Sequence, residues 1–146
     1  EVGGPPRLEA GGMSPENLAV IHEVYEAMNR RDVAALEKLA DLYPDYEWRN
    51  GTDMPESQLR VGRETTIGYV RDLFNTFDQT HTTIREVIDC GDAGAIFMVR
   101  HRVRGAVSGA EVERDEVHFW RTVDGRIAGL DEFLTLEEAR EAASGA

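Results

Sequence analysis

The chain has 146 residues, enough for one sizeable core and too few for two ordinary domains. Asp and Glu number 28 against 16 Lys and Arg, and the resulting net charge of −12 excludes nucleic-acid backbones and anionic membrane surfaces as natural partners. With 41% hydrophobic and 30% charged residues the composition is globular, and no apolar run approaches the roughly 20 residues of a transmembrane helix.

Residues 1–12 are half Gly or Pro and lack periodicity, which predicts a flexible tail outside a single domain spanning 13–146. They carry no charged-then-apolar leader, so no signal peptide is expected. Ser14 and Pro15 mark a helix start: the serine can accept from an orphan N–H, and proline fits the first helical position. Leu18, Ile21, Val24 and Met28 recur at helical spacing and predict a helix over about 15–30, with His22, Glu23, Glu26 and Arg30 on the solvent side. Asp32 caps a second helix with a buried stripe of Val33, Leu36, Leu39 and Ala40, ending before Pro44. Residues 46–50 read as a short aromatic strand and 51–61 as a loop. Gly62, Arg63 and Glu64 open a third helix that places Ile67, Val70, Phe74 and Phe77 on one face. The period then changes to two, which predicts strands over 82–89, 95–104, 111–123 and 127–134 separated by Gly-containing turns. Thr135 to Glu138 form a capping box that opens a short last helix running to about 143. Helices followed by an antiparallel meander define an α+β class.

The strands have two distinct faces. Arg100, Arg102 and Arg104 alternate opposite Glu111, Glu113 and Asp115, and pairing 104 with 111 makes a solvated cross-strand charge ladder. The other face carries Phe97, Val99, His101 and Val103, then Glu116, His118 and Trp120. A three-residue turn plus bulge after Val123 puts Leu130 and Glu132 beside His118, whereas a two-residue turn puts Asp131 there. Either way His118 gains a carboxylate neighbour on an aromatic wall, a candidate acid–base pair. Cys90 lies between Asp89 and Asp92, which disfavour a thiolate, so it is not a nucleophile; as the single cysteine it fits a reducing, cytoplasmic compartment. His22 and His81 read as surface residues.

The segments 24–33, 43–48, 62–64 and 118–127, in this order and spacing, resemble the nuclear transport factor 2-like superfamily in its SnoaL-like and ketosteroid-isomerase-like branch. The resemblance covers about 15–143. It implies a cone-shaped, curved antiparallel sheet wrapped on N-terminal helices around an apolar pocket. The isomerase site does not carry over. Its general-base Asp falls near Asn50, its helical Tyr at Val24, and its protonated Asp at His118 or Val117. The cyclases' hairpin His falls at Val107, and the Asp-Arg-Asp set of the epoxide hydrolases is not recognisable. Placed on the cone, the inward set is Val24, Met28, Trp48, Asn50, Tyr69, Phe97, Val99, His101, Glu116, His118, Trp120, Leu130 and Glu132.

In that pocket His118 is the expected general acid/base, oriented by Glu132 or Asp131. His101 and Glu116 are expected to position a polar substrate group, and the remaining side chains to hold a small hydrophobic molecule. No phosphate loop or nucleophile elbow is present, so no cofactor is expected. His101, His118 and Glu116 lie on different strands without a tight ligand spacing, so no metal is expected. Two function classes follow: an enzyme of proton transfer (isomerisation, dehydration, cyclisation or hydrolysis) or a non-catalytic binding or assembly module. The resemblance also implies a homodimer through the outer sheet face of Ile96, Met98, Val117 and Phe119.

Overall fold

The computed structural model describes residues 13–51 and 58–145. The tail expected over 1–12 and most of the expected 51–61 loop therefore lie outside the described residues.

Ser14 accepts from the Asn17 N–H at 3.1 Å and starts α1 (Pro15–Asn29), with the proline in its first turn. Asp32 accepts from Ala35 N at 3.0 Å and starts α2 (Val33–Asp41). Strand β1 (Glu47–Asn50) pairs antiparallel with β2 (Gln58–Val61), a strand where a loop was expected. Four residues are too few for a period-two signal to stand out, and Arg60, a poor advertisement for a buried strand position, is the one that points inward.

Helix α3 (Gly62–Thr76) stops before Phe77, which was expected on its apolar face and instead begins β3 (Phe77–Asp89). Arg31 fixes this junction: its guanidinium donates to the Phe74 and Phe77 carbonyls and stacks on the Phe74 ring at 4.5 Å. Strands β4 (Gly94–Gly105), β5 (Glu111–Val123) and β6 (Arg126–Phe133) follow, then α4 (Leu136–Gly145). The sheet order is β2-β1-β6-β5-β4-β3, antiparallel throughout except for the β1–β6 pair. The result is the cone-like α+β architecture expected, a curved and unclosed sheet with α1–α3 against one face and α4 against the other.

The β4–β5 register pairs Arg104 with Glu111, Arg102 with Glu113 and Arg100 with Asp115. Arg100 bonds Glu113 at 3.0 Å and Asp115 at 2.9 Å, while Arg104 turns instead to Asp78 of β3 at 2.8 and 3.0 Å. These pairs are exposed, so water and salt screen them and they add little to stability.

The β5–β6 hairpin combines features of both expected forms. Its turn has two residues, Asp124 at φ 52° and Gly125 at φ 77°, the left-handed pair that a tight hairpin turn requires. Taken alone that turn would set Asp131 opposite His118. The register slips by one between Arg121 and Thr122, leaving Ala128 as the extra residue, so His118 faces Glu132 and Trp120 faces Leu130.

Two apolar clusters result. The larger fills the space between α1–α3 and the inner sheet face, with Leu18, Ile21, Ile67, Phe97, Val99 and Trp120 among its buried members. The smaller lies on the outer face, where Ile96, Val117 and Phe119 pack on Ala139 of α4. This corrects the expected dimer surface: α4 of the same chain already covers Ile96, Val117 and Phe119, and only Met98 of the four is partly exposed.

Candidate functional site

A cavity of about 480 Å³ lies between the helices and the inner sheet face. Of the expected inward set, Val24, Met28, Trp48, Tyr69, His101, Glu116, His118, Trp120, Leu130 and Glu132 line it. Three expected pocket residues do not. Phe97, whose ring meets His22 and Tyr25 of α1, and Val99 belong to the solid core. Asn50 lies behind the wall, where it donates to Glu132. Asp131 is also removed from the site, because the bulge turns it to the outer face opposite Phe119, where it pairs with Arg121 at 3.1 Å.

The polar centre is built on β5 and β6. His118 Nε2 is 2.9 Å from Glu116 Oε1, two residues along the same strand face. Glu132 Oε2 lies 3.8 Å from the same nitrogen. Each carboxylate is held from behind. Arg114 Nε donates to Glu116 Oε2 at 2.7 Å. Trp48 Nε1 donates to Glu132 Oε2 at 2.9 Å, and Asn50 Nδ2 donates to Glu132 Oε1 at 2.8 Å. Arg60 sets the sense of that amide by donating to Asn50 Oδ1 at 2.6 Å, while its guanidinium stacks 3.4 Å over the Tyr69 ring. The inward turn of Arg60 on β2 thus supports Glu132 at one remove.

The other imidazole nitrogen carries the main surprise. His118 Nδ1 is 2.6 Å from the hydroxyl of Tyr25, a ring whose plane is parallel to the imidazole to within 9°. Trp120 Nε1 donates to the same hydroxyl at 2.9 Å. The resemblance pointed to Val24 for a helical hydroxyl; the residue after it supplies one. A signal was present, because Tyr25 follows Ile21 by four positions and so shares its buried stripe. Tyr43, Tyr46, Thr66 and Arg114 are further cavity residues that sequence reasoning passed over. His22 was assigned to the solvent side, but it is half-buried and meets Phe97 edge to face, the ring centres 5.8 Å apart. His101 contacts Thr82 Oγ1 through Nδ1 at 2.9 Å, near Arg114 across the strand pair.

Electrostatics separate the two glutamates. Burial opposes ionisation of Glu116, but the hydrogen bond and charge of His118, the charge of His101 and the Arg114 bond outweigh it and hold the carboxyl at about 2. Glu132 goes the other way. Burial, reinforced by the nearby Glu116, pushes it above the ordinary carboxylate range despite His118, Trp48 and Asn50. Burial alone would lower His118; the charge of Glu132 and the bond and charge of Glu116 overcome it and raise the imidazole. Tyr25 is raised well above 10, chiefly by burial. Two carboxyls driven apart around one imidazole make an acid–base arrangement.

Glu116, His118 and Glu132 also each offer one ligand atom, all within 4.8 Å of one another. One nitrogen and two carboxylate oxygens suit a divalent cation, and this set differs from the His101, His118 and Glu116 group weighed on sequence.

A family model described as a SnoaL-like domain matches residues 21–130. No curated protein matches the chain. Among solved structures it is similar to an NTF2-like protein of unknown function from Burkholderia pseudomallei, 24% identical with TM-score 0.69 over 88% of this chain and 97% of that one. It is also similar to TerC co-crystallised with polyporic acid, 18% identical with TM-score 0.67 over 88% and 98% of the two chains. A third is a protein with a ketosteroid isomerase-like fold from Catenulispora acidiphila, solved in complex with trimethylamine, 14% identical with TM-score 0.66 over 90% and 95%.

Proposed function

We propose, for a chain that belongs to the SnoaL-like family, that the cavity binds a small apolar molecule and that Tyr25, His118 and Glu132 transfer protons to and from it. The observation that carries this reading is the buried His118, bonded to Tyr25 on one nitrogen and to Glu116 on the other, beside a second carboxyl on the cavity wall. The complexes of similar folds with polyporic acid and with trimethylamine support a small-molecule ligand.

The proton inventory assigns the roles. Indole N–H only donates, so Tyr25 Oη accepts from Trp120. Glu116 is ionised and accepts from His118 Nε2–H. When the imidazole is neutral, Tyr25 spends its O–H on Nδ1. When it is protonated, Nδ1–H donates to Tyr25, and the phenolic O–H turns to the cavity, where it can stabilise an oxygen that gathers charge. Glu132, its affinity for a proton raised by burial, is the base that removes or returns a carbon-bound proton. His118 therefore acts through Tyr25 as well as by charge. This chemistry suits isomerisation, cyclisation or dehydration of a carbonyl compound. Asn50 and Trp48 position Glu132, and His101 with Arg114 sets the polarity at the other end of the wall.

One observation favours the second reading, a non-catalytic binding module. Every oxygen of Glu116 and Glu132 and both nitrogens of His118 already have partners within the chain. The two readings separate on deuterium incorporation alpha to the carbonyl of β-tetralone in deuterium oxide, followed by NMR. The enzyme reading expects acceleration over buffer that His118→Gln and Glu132→Gln each reduce while the probe still binds. Binding without acceleration by the parent protein would sink it in favour of the module.

No described helix is long and apolar enough to cross a membrane. The lone, half-buried Cys90 fits a reducing cytoplasm. With α4 over the outer face, a homodimer would have to use other apolar side chains; Leu59 and Val61 on edge strand β2, 45% and 50% exposed, are available to it.

A further inference from the structure

The helical wall of the cavity carries a polar atom that the proton-transfer reading does not use. Thr66 lies in the second turn of α3, is 8% exposed, and lines the cavity together with Ile67 and Val70. Its Oγ1 has no hydrogen-bond partner. A helical threonine ordinarily returns its hydroxyl to a carbonyl three or four residues back. The adjacent Thr65 does so, donating to the Val61 carbonyl; Thr66 does not. Among the described residues only two buried side-chain polar atoms lack a partner, and the other, Asp131 Oδ1, belongs to a residue on the outer sheet face. An unsatisfied buried hydroxyl is costly, and the open side here is the cavity. The sheet side offers the opposite situation, with its carboxylates and imidazole fully engaged.

We propose that Thr66 is the second anchor of the ligand, so that the cavity selects an apolar molecule bearing two oxygen functions. One meets His118 and Glu132 on the sheet and Tyr25 of α1 beside them; the other, a hydroxyl, carbonyl or ether oxygen, bonds Thr66 on α3. A hydroxyl both donates and accepts, so Thr66 takes any of these groups. A ligand lacking the second oxygen covers Thr66 without replacing its bond and binds more weakly. This inference rests on the small-molecule reading of the cavity but not on catalysis. Ile67, Val70 and Tyr69, its neighbours on the helix, make the rest of that wall apolar or aromatic. Thr66 is therefore a specificity-determining residue rather than part of the proton-transfer chemistry.

The test compares para-phenylphenol with the symmetric para,para′-dihydroxybiphenyl by calorimetry on the full chain. The symmetric probe presents a hydroxyl at both ends whichever way it enters. The parent is expected to bind the diphenol about sixfold to twentyfold more tightly than the monophenol, the roughly threefold to tenfold yield of one neutral hydrogen bond multiplied by the twofold of symmetry. Thr66→Val, nearly isosteric, should reduce that preference to about the twofold that symmetry alone provides, and Thr66→Ser should retain it. Thermal unfolding of each variant checks that the helix is intact. A preference unchanged in Thr66→Val, or absent in the parent, overturns the assignment of Thr66 and leaves the small-molecule reading standing. Failure of both probes to bind the parent overturns this inference together with the small apolar-ligand reading on which it rests.

Discussion

Tyr25→Phe removes one oxygen and little else. The ring keeps its contacts with Phe97 at 5.8 Å and Trp120 at 5.9 Å, so packing changes little. What is lost is the acceptor for Trp120 Nε1–H and the partner of His118 Nδ1, both on buried side chains. A buried polar group stranded in this way costs about 1–3 kcal/mol, so two cost about 2–6 kcal/mol. The cavity borders Tyr25 and admits rearrangement toward it, which favours the lower half of that range. Guanidinium unfolding reads the loss as a lower midpoint at unchanged slope. A double-mutant cycle with Trp120→Phe isolates the mechanism. Once the indole donor is gone, Tyr25→Phe strands only His118, and its cost should fall by about 1 kcal/mol or more. A Tyr25→Phe protein within about 0.5 kcal/mol of the parent, or a cycle that is additive, would refute the hydrogen-bond reasoning.

Glu116 should shape acid stability. A carboxyl held at about 2 against its ordinary 4.5 contributes about 3 kcal/mol to folding, present above 4.5 and lost as pH falls from 4.5 toward 2. The stability gap between the parent and Glu116→Gln should therefore close over that window in urea unfolding, and a gap that stays constant with pH would contradict the pairing. Glu132→Gln removes the proposed base, and β-tetralone exchange should fall by about a hundredfold or more with binding of the probe retained. In the parent, exchange should fade as pH drops through the raised titration of Glu132 and again as pH rises through that of His118.

Much of the fold could be read from periodicity. The charge ladder fixed the β4–β5 register because three Arg against three carboxylates match in only one alignment. Ser14 and Asp32 marked helix starts through local chemistry that needs no tertiary context. The β5–β6 hairpin was ambiguous for a physical reason: turn and bulge each shift the facing residue by one, and a sequence that favours a tight Asp-Gly turn says nothing of a bulge at Ala128. The choice of Glu132 over Asp131 therefore depends on a bulge that only the folded sheet shows. Strand β2 escaped notice because its inward residue is Arg60, held by Tyr69 and Asn50 rather than by apolar burial. His118 and Glu116 were visible as same-face neighbours on one strand, with Glu132 or Asp131 beside them on the next. Tyr25 was not, because its bond to His118 spans 93 positions and depends on how α1 crosses the sheet. Thr66 carried no signal at all, since an unmade hydrogen bond leaves no pattern in a sequence.

The protonation of His118 is the point on which the site turns, and nitrogen NMR of labelled histidine measures it directly. A pH titration of the parent should show Nε2 retaining its proton throughout and the imidazole titrating above the ordinary histidine range, with the titration moving down in Glu132→Gln, which removes the largest upward influence. An imidazole that stays neutral well below the ordinary range, or one indifferent to Glu132, would contradict the proton relay through Tyr25.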